Sequence, residues 1–327
     1  MARLVLTRLL WGVGIIATII VLNFLIIHMV PGDPVAALVG EYPAPPEYLA
    51  QIRSEFGLDQ PLIVQLWKYL VNLAHGNLGF SFANRQPVFD LMWSRAGNTL
   101  LLVIPALVLA AIIGVILALA AAPRAGSAYD SSVTALTLFG YSVPVFWLGQ
   151  MLVLLFVIML GLLPGQGMYS LRRSPEGFAA FLDLLWHMVL PVFCLTIFKV
   201  AVVARTARAS IISVLGDDFI TTATAKGLSR RYVLWRHVLP NAIIPVVTVI
   251  GYSFGTSLTG AILTETVFAW PGLGQLFVNS IANRDYPVLL GILMMSTVLV
   301  VIANIITDIL YAVLDPRVRR SYEARNA

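Results

Sequence analysis

Between Leu9 and Val30 the chain runs for about 22 residues without one Lys, Arg, Asp or Glu. As a helix this run crosses a hydrocarbon layer of about 30 Å. The apolar core of a cleavable secretory leader is shorter, roughly 7–15 residues. Arg3 and Arg8 precede the run and no small-residue cleavage site follows it, so it reads as a retained membrane helix. The whole chain shares this character. Only 11% of its 327 residues are charged, 59% are hydrophobic and the mean hydropathy is +0.88. Soluble domains carry about 25% charge, so this is the composition of an all-α, multi-pass membrane protein.

Five further spans follow at Asn98–Ala122, Pro144–Leu163, Trp186–Val203, Ile243–Leu263 and Val288–Val313. The third is the membrane portion of a longer apolar stretch from Ser132, interrupted at Pro144, and Lys199 in the fourth is expected to reach outward to an interface. With the N-terminus inside, the short cytosolic pieces hold thirteen Lys and Arg against three in the short outer loops. The positive-inside rule then puts both termini in the cytosol. It also accounts for the net charge of +5, with no need for a nucleic-acid surface. The chain divides into residues 1–30, the outer segment 31–97, the membrane core 98–313 with a cytosolic loop at 205–242, and a tail at 314–327. In the outer segment, Pro46–Phe56 reads as a helix, and Pro61–His75 as an amphipathic helix too short and polar to span.

Catalytic signatures are missing. No Gly-Lys dipeptide occurs, so the chain has no phosphate-binding P-loop. No His-Glu-x-x-His helix, Cys/His cluster or Gly-x-Ser-x-Gly elbow is present either. His75 stands alone, and Cys194 is the single cysteine, inside an apolar run where it serves as a small buried hydrophobe. No catalytic residue, bound cofactor or metal ligand is therefore assigned. Lys199, Glu265 and Asp308 are the ionisable groups in or beside the spans, all near expected ends, which does not resemble a proton relay.

One polar stretch is more ordered than a connector needs to be. Asp217 or Asp218 can cap a short helix, Gly227 can close it in the left-handed conformation, and Ser229 can cap a second helix ending at Leu239-Pro240. Such punctuation marks a surface built to touch something. In the fifth span Gly251, Gly255 and Thr259 form a stripe of small residues, suited to close packing within this bundle or against another subunit. Asn98, Ser142, Gln150, Thr256 and Ser257 are candidates to line a path for a polar solute, although helix backbone can equally satisfy each of them.

The loop resembles that of inner-membrane permease subunits of binding-protein-dependent ABC transporters. Their motif reads Glu-Ala-Ala, three residues, Gly, nine residues, Ile, any residue, Leu-Pro. Here Thr221, Thr222 and Ala223 take the first places, Gly227 the glycine, His237 the isoleucine, and Leu239-Pro240 the end. Thr221, Thr222 and His237 depart from the general form. "TTATAKGLS" at Thr221–Ser229 and "RHVLPNAIIP" at Arg236–Pro245 resemble the first permease of dipeptide, oligopeptide and nickel importers. So do "PGDP" after the first span, "FGLDQPL" at Phe56–Leu62, "GNLGFS" at Gly76–Ser81 and "SVPVFWLG" at Ser142–Gly149. "TETVFAWPGLG" at Thr264–Gly274, "RDYPV" at Arg284–Val288 and "LDPR" at Leu314–Arg317 continue the match.

The resemblance implies the type I importer permease fold, with the loop as a coupling helix between the fourth and fifth spans. In the bacterial inner membrane such a chain pairs with a second permease, two ATPase subunits that carry ATP and Mg, and an extracytoplasmic binding protein. Asp218, Thr221, Thr222, Ala223, Lys226, Gly227, Leu239 and Pro240 would form the ATPase-coupling loop. The implied cargo is a di- or oligopeptide, with nickel or another peptide-like solute as the alternative. An ion-coupled secondary transporter or a membrane-embedded enzyme would need interior charges or a catalytic constellation.

Overall fold

The computed structural model describes residues 2–29, 45–47, 50, 54, 59–81, 83–170 and 176–314. "PGDP", most of the expected Pro46–Phe56 helix and the tail 315–327 lie outside these residues. The described chain is almost wholly helical. Its elements are α1 (Ala2–Met29), α2 (Leu62–Ala74), α3 (Val88–Ala121), α4 (Ala128–Ser142), α5 (Val145–Leu152), α6 (Phe178–Leu215), α7 (Asp218–Ala225), α8 (Arg230–Val233), α9 (Leu239–Ala242), α10 (Ile244–Val267), α11 (Leu273–Ala282) and α12 (Tyr286–Leu314). A two-residue antiparallel pair, β1 (Phe80–Ser81) and β2 (Gln86–Pro87), precedes α3 and was not anticipated. Four helices, α1, α3, α6 and α12, are long and apolar enough to cross a membrane. Two bent helix pairs supply further apolar length.

The departures from expectation have local causes. Helix α3 begins at Val88, ten residues before the expected span, because Val88, Leu91 and Met92 pack on Leu273, Leu276 and Val288. At Pro144 the chain turns by 92° between α4 and the segment Val145–Met159. Proline lacks an N–H and disfavours helical backbone before it, and Val143 accordingly takes ψ 125°. Helix α6 runs well past Val203, since Ala207, Ile211 and Val214 continue its buried face. Lys199 thus sits near the middle of a 38-residue helix rather than near its end.

The expected stop at Leu239-Pro240 is wrong. Helix continues through Pro240 to Ala242, because Leu234–Val238 form a widened π-helical turn. There the Leu239 N–H bonds Leu234 O, five residues back, and this change of register accommodates a residue with no N–H to give.

The packing has two ends. At the Gly227 end, one apolar cluster joins Ala118 and Ala122 from the end of α3, Val203, Ala207 and Ile211 of α6, Ile220 and Ala223 of α7, Val233 and Val238 beyond it, and Val246 of α10. At the Trp270 end the chain is clasped by polar groups. Glu265, fully buried in the last turns of α10, takes a hydrogen bond from the Thr99 hydroxyl (2.7 Å) and from the backbone N–H groups of Gly274 (2.7 Å) and Gln275 (3.1 Å). It therefore satisfies the otherwise open N-terminus of α11. The Leu273 N–H donates to Thr99 Oγ1, the Asn98 amide to Pro271 O, and the Trp270 indole to Asn98 O. The glycines of "PGLG" are steric necessities: a Cβ on Gly272 would overlap the Glu265 carboxylate, and one on Gly274 would meet the Ile262 backbone at 2.5 Å.

The small-residue stripe faces inward. A side chain on Gly251 would collide with Thr307, and one on Gly255 would approach Val300 Cα at 3.1 Å, so both serve the α10–α12 contact of this chain. The Thr259 side chain lies outside the described residues.

Three stability outcomes follow. Gly251→Ala is expected to cost about 1–3 kcal/mol through overpacking, lowering the thermal midpoint in detergent. Gly14→Ala, where a Cβ would meet nothing within 4 Å, should leave the midpoint unchanged or slightly raised. Glu265→Ala strands the Gly274 and Gln275 N–H groups and should cost at least about 3 kcal/mol, a hydrogen bond to a charged group being worth roughly 1.5–3 kcal/mol. The same thermal measurement, with limited proteolysis at the 268–272 turn, checks it.

Candidate functional site

The segment from Asp217 to Pro245 begins where α6 ends at Gly216. Asp217 occupies the cap position of α7 (φ −75°, ψ 145°), but its side chain makes no capping bond, while Asp218 lies in the first turn. Gly227 takes φ +79°, a conformation that L side chains rarely adopt, and a Cβ there would meet nothing within 4 Å. Ser229 caps α8 as expected, its hydroxyl accepting from the Tyr232 N–H at 3.4 Å. The pattern of caps around a left-handed glycine was thus legible, although its second helix runs longer.

Exposure divides the candidate residues. Asp218, Thr221, Thr222, Lys226, Gly227 and Pro240 are exposed, Leu239 is partly buried, and Ala223 is turned inward against the α3–α6 cluster. Ala223 therefore cannot present its side chain to a partner; it anchors α7 from behind. The segment does not stand free of the bundle. Arg230 donates to Pro123 O at 2.6 Å, tying the start of α8 to the end of α3. Asp130 of α4 accepts two bonds from the Arg208 guanidinium of α6 (2.5 and 2.6 Å), which holds the same end together. The result is a helical knuckle bolted to two long helices by apolar side chains, its outer face mixing polar residues with the exposed Phe219, Leu228, Tyr232 and Trp235.

The candidates for a solute path are not brought together. Asn98 is spent on the Trp270 clasp, and the Ser142 hydroxyl bonds Leu138 O of its own helix. Gln150 is exposed on α5, and the Thr256 side chain lies outside the described residues. Ser257 is buried between α10 and α6, where its hydroxyl donates to the Ser253 carbonyl and accepts from the Lys199 ammonium at 2.6 Å. Lys199 thus points sideways into the bundle and does not snorkel to an interface. The sequence concealed this, because Arg205 and Arg208 shortly after it made the helix read as ending. On the first and last helices Arg8 pairs with Asp308 at 3.0 Å. Beyond the Trp270 end, the Ser81 hydroxyl donates to Asp285 Oδ2 at 2.5 Å, and burial raises the Asp285 carboxyl above its ordinary value.

Comparison with known proteins agrees with this architecture. Residues 112–320 match the family model of the binding-protein-dependent transport system inner membrane component, and residues 1–103 match that family's N-terminal membrane component. The dipeptide transport system permease protein DppB of Escherichia coli is 40% identical, over 98% of this chain and 99% of its own length. The di/tripeptide transport system permease protein DppB of Pseudomonas aeruginosa is 41% identical over 91% and 93%. Among solved structures, an inward-facing MetNI methionine ABC transporter aligns with a TM-score of 0.55 at 16% identity, covering 69% of this chain and 97% of the other. At that identity the likeness is one of fold. Matched along nearly its whole length, the chain belongs to the inner membrane component family of binding-protein-dependent transport systems.

Proposed function

We propose that this chain is a permease subunit of an ATP-driven importer that takes di- or oligopeptides from an extracytoplasmic binding protein. The observation that carries the reading is identity of 40–41% with permeases named for dipeptides and di/tripeptides, sustained over nine-tenths or more of both chains. In this reading the chain crosses the membrane six times, each bent helix pair counting as one span, with both termini in the cytosol. A second permease, two ATPases that hold ATP and Mg, and the binding protein complete the machine. The chain itself carries no catalytic site.

Coupling is then assigned to the surface around Gly227. The exposed Asp218, Thr221, Thr222, Lys226 and Gly227 would meet an ATPase, with Leu239 and Pro240 at the margin. Two features support this: the open space over Gly227, which lets another backbone approach, and the apolar cluster behind α7. A push on α7 is received by Ile220 and Ala223 and passed to α6 and α3 as movement of packed helices, because a close-packed core does not absorb displacement locally.

The test is uptake of labelled Ala-Ala into proteoliposomes holding the full complex, with its binding protein and internal ATP. Uptake should require ATP and the binding protein; uptake by this chain alone, driven by an ion gradient, would refute the reading. Gly227→Leu should cut uptake at least tenfold while the complex still assembles. Gly227→Asn, a residue that tolerates left-handed backbone, should retain more activity than Gly227→Leu.

A further inference from the structure

Among the described residues, no carboxylate pairs with the Lys199 ammonium, whose one hydrogen-bond partner is Ser257. An ammonium has three donors. One goes to Ser257 Oγ, and the other two find no protein acceptor among the described residues. Glu265 is engaged by Thr99 and two backbone N–H groups, Asp308 by Arg8, Asp130 by Arg208, and Asp183 by Ser170; Asp90 is exposed in the first turn of α3, far along that helix from the Ala106–Thr196 contact with α6. Ser257 cannot neutralise the ammonium. Its own proton is committed to Ser253 O, so it offers a lone pair that orients the lysine and nothing more. The side chain is only partly buried, near mid-helix, and so remains reachable from one side.

A cation held at membrane depth without a counter-charge is costly unless an anion visits it. Peptides carry such an anion at neutral pH in their terminal carboxylate. We propose that Lys199, oriented by Ser257, forms a way-station for the C-terminal carboxylate of the peptide as it crosses the permease. The inference rests on the peptide reading given above. It makes the Lys199 ammonium the charged step on the face where α6 meets α10. The ammonium exchanges water for the carboxylate, and release follows when the helices move apart.

The experiment compares uptake of Ala-Ala with that of Ala-Ala amide by the full complex, unaltered or carrying Lys199→Gln or Lys199→Arg. The selectivity of the binding protein is common to all three and cancels when acid-to-amide ratios are compared. Lys199→Gln should lower that ratio by about tenfold or more, the usual worth of one charge-assisted hydrogen bond, and Lys199→Arg should largely preserve it. An unchanged ratio would overturn the assignment while leaving the peptide reading intact. So would equal loss of both substrates together with loss of the second permease on co-purification, which would mean that Lys199 pairs with a carboxylate of that subunit. If the unaltered complex took up neither compound, the peptide reading would fall, and the assignment with it.

Discussion

Hydrocarbon supplies no hydrogen bonds, and that constraint shapes the polar contacts inside this bundle. A polar group placed among membrane helices must be answered from within the protein. Glu265 is answered by a neighbouring hydroxyl and by the exposed N–H groups of α11. Pro240, which removes a donor from the ladder, is accommodated by a turn widened to five-residue spacing. Arg208 and Asp130 answer one another, as do Arg8 and Asp308. Among the described residues, Lys199 is met by the Ser257 hydroxyl and by no carboxylate.

The same constraint divides the molecule mechanically. The Trp270 end is fastened by directional bonds around a buried indole and a buried carboxylate, which hold one geometry and tolerate little sliding. The Gly227 end has a core of Ala, Val and Ile contacts, which are non-directional and allow packed elements to shift as units, with the Arg230–Pro123 and Arg208–Asp130 bonds at its edge. A permease that alternates between two openings needs both kinds of fastening: a fixed crown that keeps helix order and a knuckle that can be driven.

Much of this was legible in the sequence, and the remainder was hidden for identifiable reasons. Apolar runs located the long helices because transfer into lipid depends on composition more than on partners. Ser229 and left-handed Gly227 were legible because capping is local. The extents of α3 and α6 were not, since charges at Asp90, Arg95, Arg205 and Arg208 suggested connectors where tertiary packing extends the helix. Pro240 misled for a related reason: a proline ends a helix only when the preceding turn keeps α-helical register. The Glu265 clasp and the Lys199–Ser257 contact join residues 166 and 58 positions apart, and no local pattern encodes such pairs. The Gly-rich "WPGLG" run was visible, but the carboxylate it makes room for was not.

The bond from Ser81 to Asp285 joins residues 204 positions apart. Ser81 leaves the ribosome early, yet its acceptor is made only just before the last long helix. The small hairpin of β1 and β2 therefore waits, half-anchored, while the intervening helices are synthesised and inserted. The face on which it sits reaches its final form last, so biogenesis itself withholds that face until the membrane body is complete.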